Sequence, residues 1–402
     1  MTSEAYVWIW LPGEYEPVVC GKLEADNTFY SFVYGRSYLE RSNAIALDPF
    51  ELPLQEGIFS PSFGETHNVI RDAAPDAWGR RVLIYKSGGQ ALSELDYLLQ
   101  AGRDRIGALD VSPEPTGYTA IQPDRQASIE DLINAAEKVE TGQPLPESLG
   151  NALLHGSSVG GARPKSLLRD KNHKWIAKFS STTDHYPVVK SEYAAMWLAG
   201  QCGIKVPAIK LLKRLGKDVL LVRRFDREVI NGQWHRRFLI SGLTALQLHE
   251  TEAMLASYPE LASFIRRSGA HYPTDAQQLF RRMLFNILIG NTDDHARNHA
   301  FFWDGHQHVL TPAYDICPML RAGQIANQAM VVGSNGRESS IRNGLSQAEQ
   351  FGLTLSEAKD IQEEITATIR VKWDEAADRG AISKNESKIL KQATILSPAC
   401  FY

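Results

Sequence analysis

Cysteine is scarce and dispersed in this 402-residue chain, which holds four: Cys20, Cys202, Cys317 and Cys400, with no C-x-x-C pair among them. A disulfide framework needs denser cysteine and a thiolate metal cluster needs close, repeated ligands, so packed reduced thiols are the expectation. Long apolar runs are missing too: none approaches the ~20 residues that span a bilayer. The N-terminal Met1-Thr2-Ser3-Glu4 lacks a basic region, and the apolar stretch 5–11 is too short for a signal-peptide core. Together these predict a cytoplasmic protein with no membrane segment. A basic excess is also lacking, since 43 Lys and Arg face 47 Asp and Glu for a net charge of −4. That argues against a general nucleic-acid binder, although interspersed signs leave room for a partner-assisted DNA role. Neither repeats nor low-complexity tracts occur. What is present is 43 % hydrophobic and 22 % charged residues, the composition of an ordered globule, in a length that suits two or three folding units.

The pattern changes along the chain. Residues 6–11, 18–23 and 29–34 are β-rich, the last following the turn Ala25-Asp26-Asn27-Thr28. Helices are predicted over 76–86 and 93–101, separated by Ser87-Gly88-Gly89. Three prolines and a glycine within residues 112–123 mark the first boundary. Ser128 then caps a helix with Ile129, Leu132, Ile133 and Ala136 on one face. Short strands at 175–179 and 219–225 enclose a helix near 190–199. Beyond Ser241 the pattern is nearly all helical, most clearly over 279–289, and Thr354-Leu-Ser-Glu357 is a capping box that opens a further helix. The expected fold class is therefore α+β: a small β-rich domain over 1–120, a mixed lobe over 121–240, and a mostly helical lobe over 241–402.

Chemistry concentrates in Gly290-Asn291-Thr292-Asp293-Asp294-His295-Ala296-Arg297-Asn298, directly after the most apolar helix. One carboxylate can accept a hydroxyl proton while an amide oxygen five residues on holds Mg²⁺, a hard cation that takes oxygen ligands. Asp293 and Asn298 have this Asp-x4-Asn spacing of protein-kinase catalytic loops, and Asp294 does not. Pro312-Ala-Tyr314-Asp315 follows, where a kinase-like chain places its second metal ligand. Upstream, Gly156-Ser157-Ser158-Val159-Gly160-Gly161-Ala162-Arg163-Pro164-Lys165 is a glycine-rich loop that lets backbone amides approach phosphate oxygens. It is neither a Walker A loop nor G-x-G-x-x-G. Lys178 lies between apolar neighbours in a short strand, and Glu192 on the next helix is a candidate partner for it.

Taken in order, the glycine-rich loop, the Lys178 strand, Arg223-Arg-Phe-Asp-Arg227, Asn-Thr-Asp-Asp-His-Ala-Arg-Asn and Ala313-Tyr-Asp315 resemble the HipA family of bacterial serine/threonine kinases. These are the toxin halves of HipBA-type toxin–antitoxin pairs. Ala74-Pro-Asp-Ala-Trp-Gly-Arg80 and Gly102-Arg-Asp-Arg-Ile-Gly-Ala-Leu109 look like that family's small N-terminal domain, so the likeness runs from about residue 5 to 375. It implies a kinase-like bilobal core using ATP and Mg²⁺, with Asp293 as catalytic aspartate and Asn298 and Asp315 as magnesium ligands. It also implies nucleotide contacts from Val159, Gly160, Gly161, Ala162, Arg163, Pro164 and Lys165, from Lys178, from the hinge residues Arg223, Arg224 and Phe225, and from His295, Ala296, Arg297, Asn298, Tyr314 and Asp315. Ser158 matches the serine whose autophosphorylation expels the loop, and Ser157 stands beside it. A phosphate there adds roughly −1.5 to −2 charge and disfavours the closed loop. Arg163-Pro164 departs from the Gln-Glu often found in this loop.

The same resemblance implies a HipB-like helix-turn-helix antitoxin as partner, DNA contact only through it, and an aminoacyl-tRNA synthetase such as glutamyl-tRNA synthetase as substrate. Two other readings stay open. One is a small-metabolite kinase sharing the Asp-x4-Asn logic, against which the serine-bearing loop argues; the other is a catalytically silent co-repressor partner of an antitoxin.

Overall fold

A computed structural model describes residues 3–26, 28–119, 127–156, 158–321, 323 and 325–402. The chain divides into two compact units. The first comprises residues 1–182, 213–240 and 303–306; the second comprises 183–212, 241–302 and 307–402.

The first unit begins as a four-stranded antiparallel sheet, built from Glu4–Ile9, Val18–Asp26, Phe29–Tyr34 and Leu109–Ser112, with the first strand between the second and the fourth. Ala5, Val7 and Ile9 are fully buried, as the alternation in this strand requires. Gly21 is obligatory, because a Cβ there would meet the Phe32 ring at 2.4 Å. The helices Ala77–Lys86, Glu94–Gln100 and Ile129–Thr141 follow, the last two opened by capping boxes at Ser93/Asp96 and Ser128/Asp131. A second antiparallel sheet pairs Lys165–Arg169 with Lys174–Phe179, and Lys174–Phe179 with Lys217–Arg223. Strand Lys165–Arg169 was not expected from sequence, since five residues between Pro164 and Asp170 carry too little pattern. The hairpin Arg227–Ile230/Gln233–Arg236 turns on Asn231 and Gly232, both at positive φ (52° and 81°), which suits a two-residue hairpin loop.

The second unit is mostly helical. Helix Thr274–Ile289 is buried nearly all round, with Leu279, Phe280, Met283, Leu284 and Leu288 fully inaccessible. Helix Leu355–Arg379 packs on it and on Val188–Gln201, and its Thr354/Glu357 capping box forms as the sequence predicts. Trp373 donates from its indole to Ser387 Oγ at 3.1 Å, tying on the helix Lys384–Ala393. The short strands Ala300–Trp303 and His308–Leu310 interrupt the expected all-helical run. All four cysteines are free and three are buried, as their dispersion predicted. Among the described residues no helix is long and apolar enough to cross a membrane.

Candidate active site

Each unit carries one set of the predicted residues. In the second unit, helix Thr274–Ile289 stops at Gly290, whose φ of 70° gives the left-handed C-cap and whose missing side chain leaves room for Thr394. The chain then runs outward and back through a single turn of 3₁₀ helix at Ala296–Asn298. His295 N–H donates to Asp293 O at 2.8 Å, Asn298 N–H to His295 O at 2.8 Å, and Asn298 Nδ2 to Asp293 O at 3.1 Å. The last bond leaves the Asn298 amide oxygen for a ligand. Asp293 is exposed.

Asp294 and His299 face the other way. Asp294, 2 % exposed, accepts from His299 Nε2 at 3.0 Å, from Asn286 Nδ2 at 2.7 Å and from the Tyr258 hydroxyl. Burial pushes the Asp294 carboxyl up, but His299 and the Tyr258 hydroxyl outweigh it and hold it below the usual carboxylate range. Since Asp294 follows Asp293 and His299 follows Asn298, this buried pair spans the same five-residue interval as Asp293 and Asn298. It fixes the loop from beneath. Sequence reading passed over it, although the repeated spacing of Asp293/Asn298 and Asp294/His299 was visible.

The Asp315 segment has no regular secondary structure and is stitched to this loop. The Tyr314 hydroxyl donates to Arg297 O at 2.8 Å, Met319 N–H to Gly290 O at 3.1 Å, and Thr311 N–H to Ala300 O at 3.0 Å. Asp315 itself holds φ at 59°, a left-handed conformation that aspartate tolerates better than most residues. Its charge reaches Asp293. Partial burial raises the Asp293 carboxyl above its ordinary range, His295 pulls it back, and Asp315 and Asp294 add to the rise. Among the described residues no three His, Cys, Asp or Glu converge as an all-protein metal cage. A carboxylate and an amide oxygen are a donor set that suits magnesium, which keeps few protein ligands and takes the rest from phosphate and water. Ala296 is buried and offers only backbone, and the Arg297 guanidinium is paired with Glu250 at 2.8 Å.

In the first unit, Lys165 and Lys178 are cross-strand partners on one face of the sheet. Lys165 is 3 % exposed and its Nζ donates to Gly160 O, so it lies under its own loop. Gly160 and Ala162 are exposed and Gly161 takes φ +104°, while Val159 points inward and is fully buried. Arg163 is half-buried, and buried Pro164 accepts from Phe179 N–H at 3.0 Å. Ser158 is 2 % exposed and its hydroxyl has no hydrogen-bond partner among the described residues; Ser157 lies outside them.

The three residues of the expected hinge have different surroundings. Arg223 is exposed and Phe225 half-buried, but the Arg224 side chain is not free for a nucleotide. Its guanidinium is buried against Asp226 (2.7 Å) and Asp104 (3.2 Å) and donates to Asp104 O and Arg105 O at 2.8 and 2.6 Å. A buried arginine needs such partners, and the sequence did not show that Asp104 would supply one.

A β-rich N-terminal part, a glycine-loop sheet and a helical C-terminal part bearing Asp-x4-Asn define an α+β protein of the protein-kinase-like class. The chain belongs to the HipA family: residues 13–112 match the HipA N-terminal domain and residues 157–373 the HipA-like C-terminal domain. A candidate kinase of Haemophilus influenzae is 23 % identical over 194 residues, covering 44 % of this chain and 57 % of its own length. The serine/threonine-protein kinase toxin HipA of Shewanella oneidensis is 26 % identical over 269 residues, 60 % of each chain. The fold is also that of HipA in the Shewanella oneidensis complex of HipA, HipB and operator DNA, with a TM-score of 0.71 and 20 % identity over 95 % of both chains.

Proposed function

We propose that this chain is an ATP-dependent serine/threonine protein kinase acting as a HipA-type toxin. The observation that carries the reading is the second unit's loop, where, among the described residues, the Asp293 carboxyl and the Asn298 amide oxygen have no hydrogen-bond partner while their neighbours Asp294 and His299 are paired with each other. Asp293 takes or orients the proton of a substrate hydroxyl, whose oxygen attacks the γ-phosphorus as the bond to the β–γ bridging oxygen breaks. Asn298 and Asp315 would hold Mg²⁺, which neutralises phosphate charge. Lys165, Lys178 and the amides of the glycine-rich loop orient the phosphates, backbone at 223–225 meets the adenine, and His295 and Tyr314 complete the nucleotide contacts.

Asp293→Asn is expected to lower phosphotransfer by about 10³-fold with an unchanged thermal midpoint. A folded variant with wild-type transfer overturns the assignment.

Burial of Ser158 supports its role as a switch rather than a surface phosphosite: the loop must come out before a phosphate can be accommodated there, and the added charge then keeps it out. Mass spectrometry after incubation with ATP tests this, with phosphate on Ser158 or Ser157 favouring the toxin over a small-metabolite kinase. The likeness to a HipA–HipB–operator complex favours a HipB-like antitoxin as partner, with DNA reached through it. Gel shifts with and without that partner test the point. An aminoacyl-tRNA synthetase is the substrate class that the family reading suggests, and phosphorylation of purified synthetases by this chain checks it.

A further inference from the structure

Two sequence motifs, residues 74–80 and 102–109, have no task in phosphoryl transfer, yet the fold places both on the segments assigned to nucleotide. Asp76 Oδ2 accepts from the backbone N–H of Gly161 at 2.9 Å. Trp78 reaches the same loop twice, its backbone N–H donating to Gly161 O at 3.2 Å and its indole N–H to Lys165 O at 3.0 Å. The fit is close, since a Cβ on Gly160 would come within 2.8 Å of Asp76 Oδ2. The second motif grips the end of strand Lys217–Arg223 in the same manner. Gly107 N–H donates to Asp226 Oδ2 at 2.8 Å, Arg227 donates to Gly107 O at 2.7 Å, and Arg224 bonds the carbonyls of residues 104 and 105.

We propose that segment 74–80 is a clamp that holds the glycine-rich loop ready for nucleotide, with Asp76 and Trp78 as positioning residues. The inference rests on the kinase reading and extends it to regulation of the same site. A loop with glycines at 156, 160 and 161 has high conformational entropy, and ordering it at each binding event would weaken affinity. Three hydrogen bonds from one short segment, spread from Gly161 to Lys165, meet that cost in advance. Asp76 does this without being a core residue: its side chain is 25 % exposed, and Arg71 stands 3.8 Å from its other oxygen. The Gly161 amide is thereby committed to Asp76, so phosphate contacts fall to the other amides of the loop. Through this clamp the N-terminal domain sets nucleotide affinity, and a ligand that pulls on residues 74–80 would release the loop.

The full-length chain and its Asp76→Ala, Asp76→Asn and Trp78→Phe variants test this. Asp76→Ala is expected to raise the KM for ATP about tenfold, the effect of losing one hydrogen bond of about 1.4 kcal/mol, while kcat stays within twofold. Asp76→Asn keeps an acceptor for Gly161 and should restore KM to within twofold of the original. Trp78→Phe removes the indole bond to Lys165 O and leaves a small cavity where the buried indole stood, while the backbone bond to Gly161 O remains, and it should show the same KM increase in smaller measure. Deuterium exchange of the peptide 158–165 is expected to quicken about tenfold in Asp76→Ala and hardly at all in Asp76→Asn. This readout needs no turnover. If the wild-type chain fails to use ATP, the kinase reading falls while the exchange comparison still decides the clamp. A folded Asp76→Ala variant with unaltered exchange at 158–165, or with KM unchanged or lowered, overturns the clamp.

Discussion

Aspartates stand side by side at 293 and 294, and their surroundings give them opposite work. Asp293 lies at the surface, and partial burial of its carboxyl, then Asp315 and Asp294, raise it against the pull of His295. Asp294 is buried and stays ionised because His299, Tyr258 and Asn286 surround it. Asp294→Ala leaves three buried polar groups without an acceptor, and is expected to destabilise the chain by about 3 kcal/mol, read as a lower urea midpoint. The same variant, assayed where it remains folded, should lose phosphotransfer through kcat, because Asp293 and Asn298 no longer share a fixed support. The Asp-x4-Asn spacing was legible in the sequence. An asparagine five residues on singles out Asp293 over Asp294, but the inward pairing of Asp294 needed the positions of Tyr258 and Asn286, 36 and 8 residues away.

At the scale of elements, the site depends on where helix Thr274–Ile289 ends. Gly290 combines a left-handed backbone with close contact to Thr394, 2.9 Å from where a Cβ would stand. Gly290→Ala is therefore expected to cost about 2 kcal/mol, seen as a fall in thermal midpoint, and to disturb the loop that follows. Helix starts were read well, since Ser93, Ser128 and Thr354 all form side-chain caps with the acidic residue three positions on. Short strands were read poorly. Residues 165–169, 300–303 and 308–310 lack the length for a period to emerge, and their strand character comes from neighbours rather than from themselves.

Across the whole molecule, charge is balanced at the surface but concentrated inside the first unit. Asp104, Asp110 and Asp226 lie among Arg103, Arg105, Lys174, Arg224 and Arg227, with contacts of 2.6–3.2 Å. Burial raises the Asp226 carboxyl, but Arg224 and Arg227 outweigh it and bring it down to about 2. Asp110 is likewise lowered, burial being overcome by Arg105 and Arg103. The folded chain thus resists protonation at a pH where the unfolded chain, with carboxyls near 3.9, takes up protons. Stability from these groups is full above about pH 4 and is lost as pH falls toward 2. Urea midpoints measured from pH 5 to 2.5 should drop steeply at the acid end, and Asp226→Asn should flatten that drop from a lower starting value.

The sequence by itself determined the α+β class and carried the Asp-x4-Asn and glycine-rich loop motifs. Those features are local: caps, apolar periodicity and side chains of fixed spacing act within a few residues of one another. It also showed two motifs near the N-terminus without showing their use. Only the tertiary structure decided that Asp76 and Trp78 hold a loop some 85 residues away, that Arg224 is spent on Asp104 and Asp226, and that Asp294 braces the site from below. Such pairings join groups distant in the chain, and they form because a buried charge or amide must find a partner wherever packing places one.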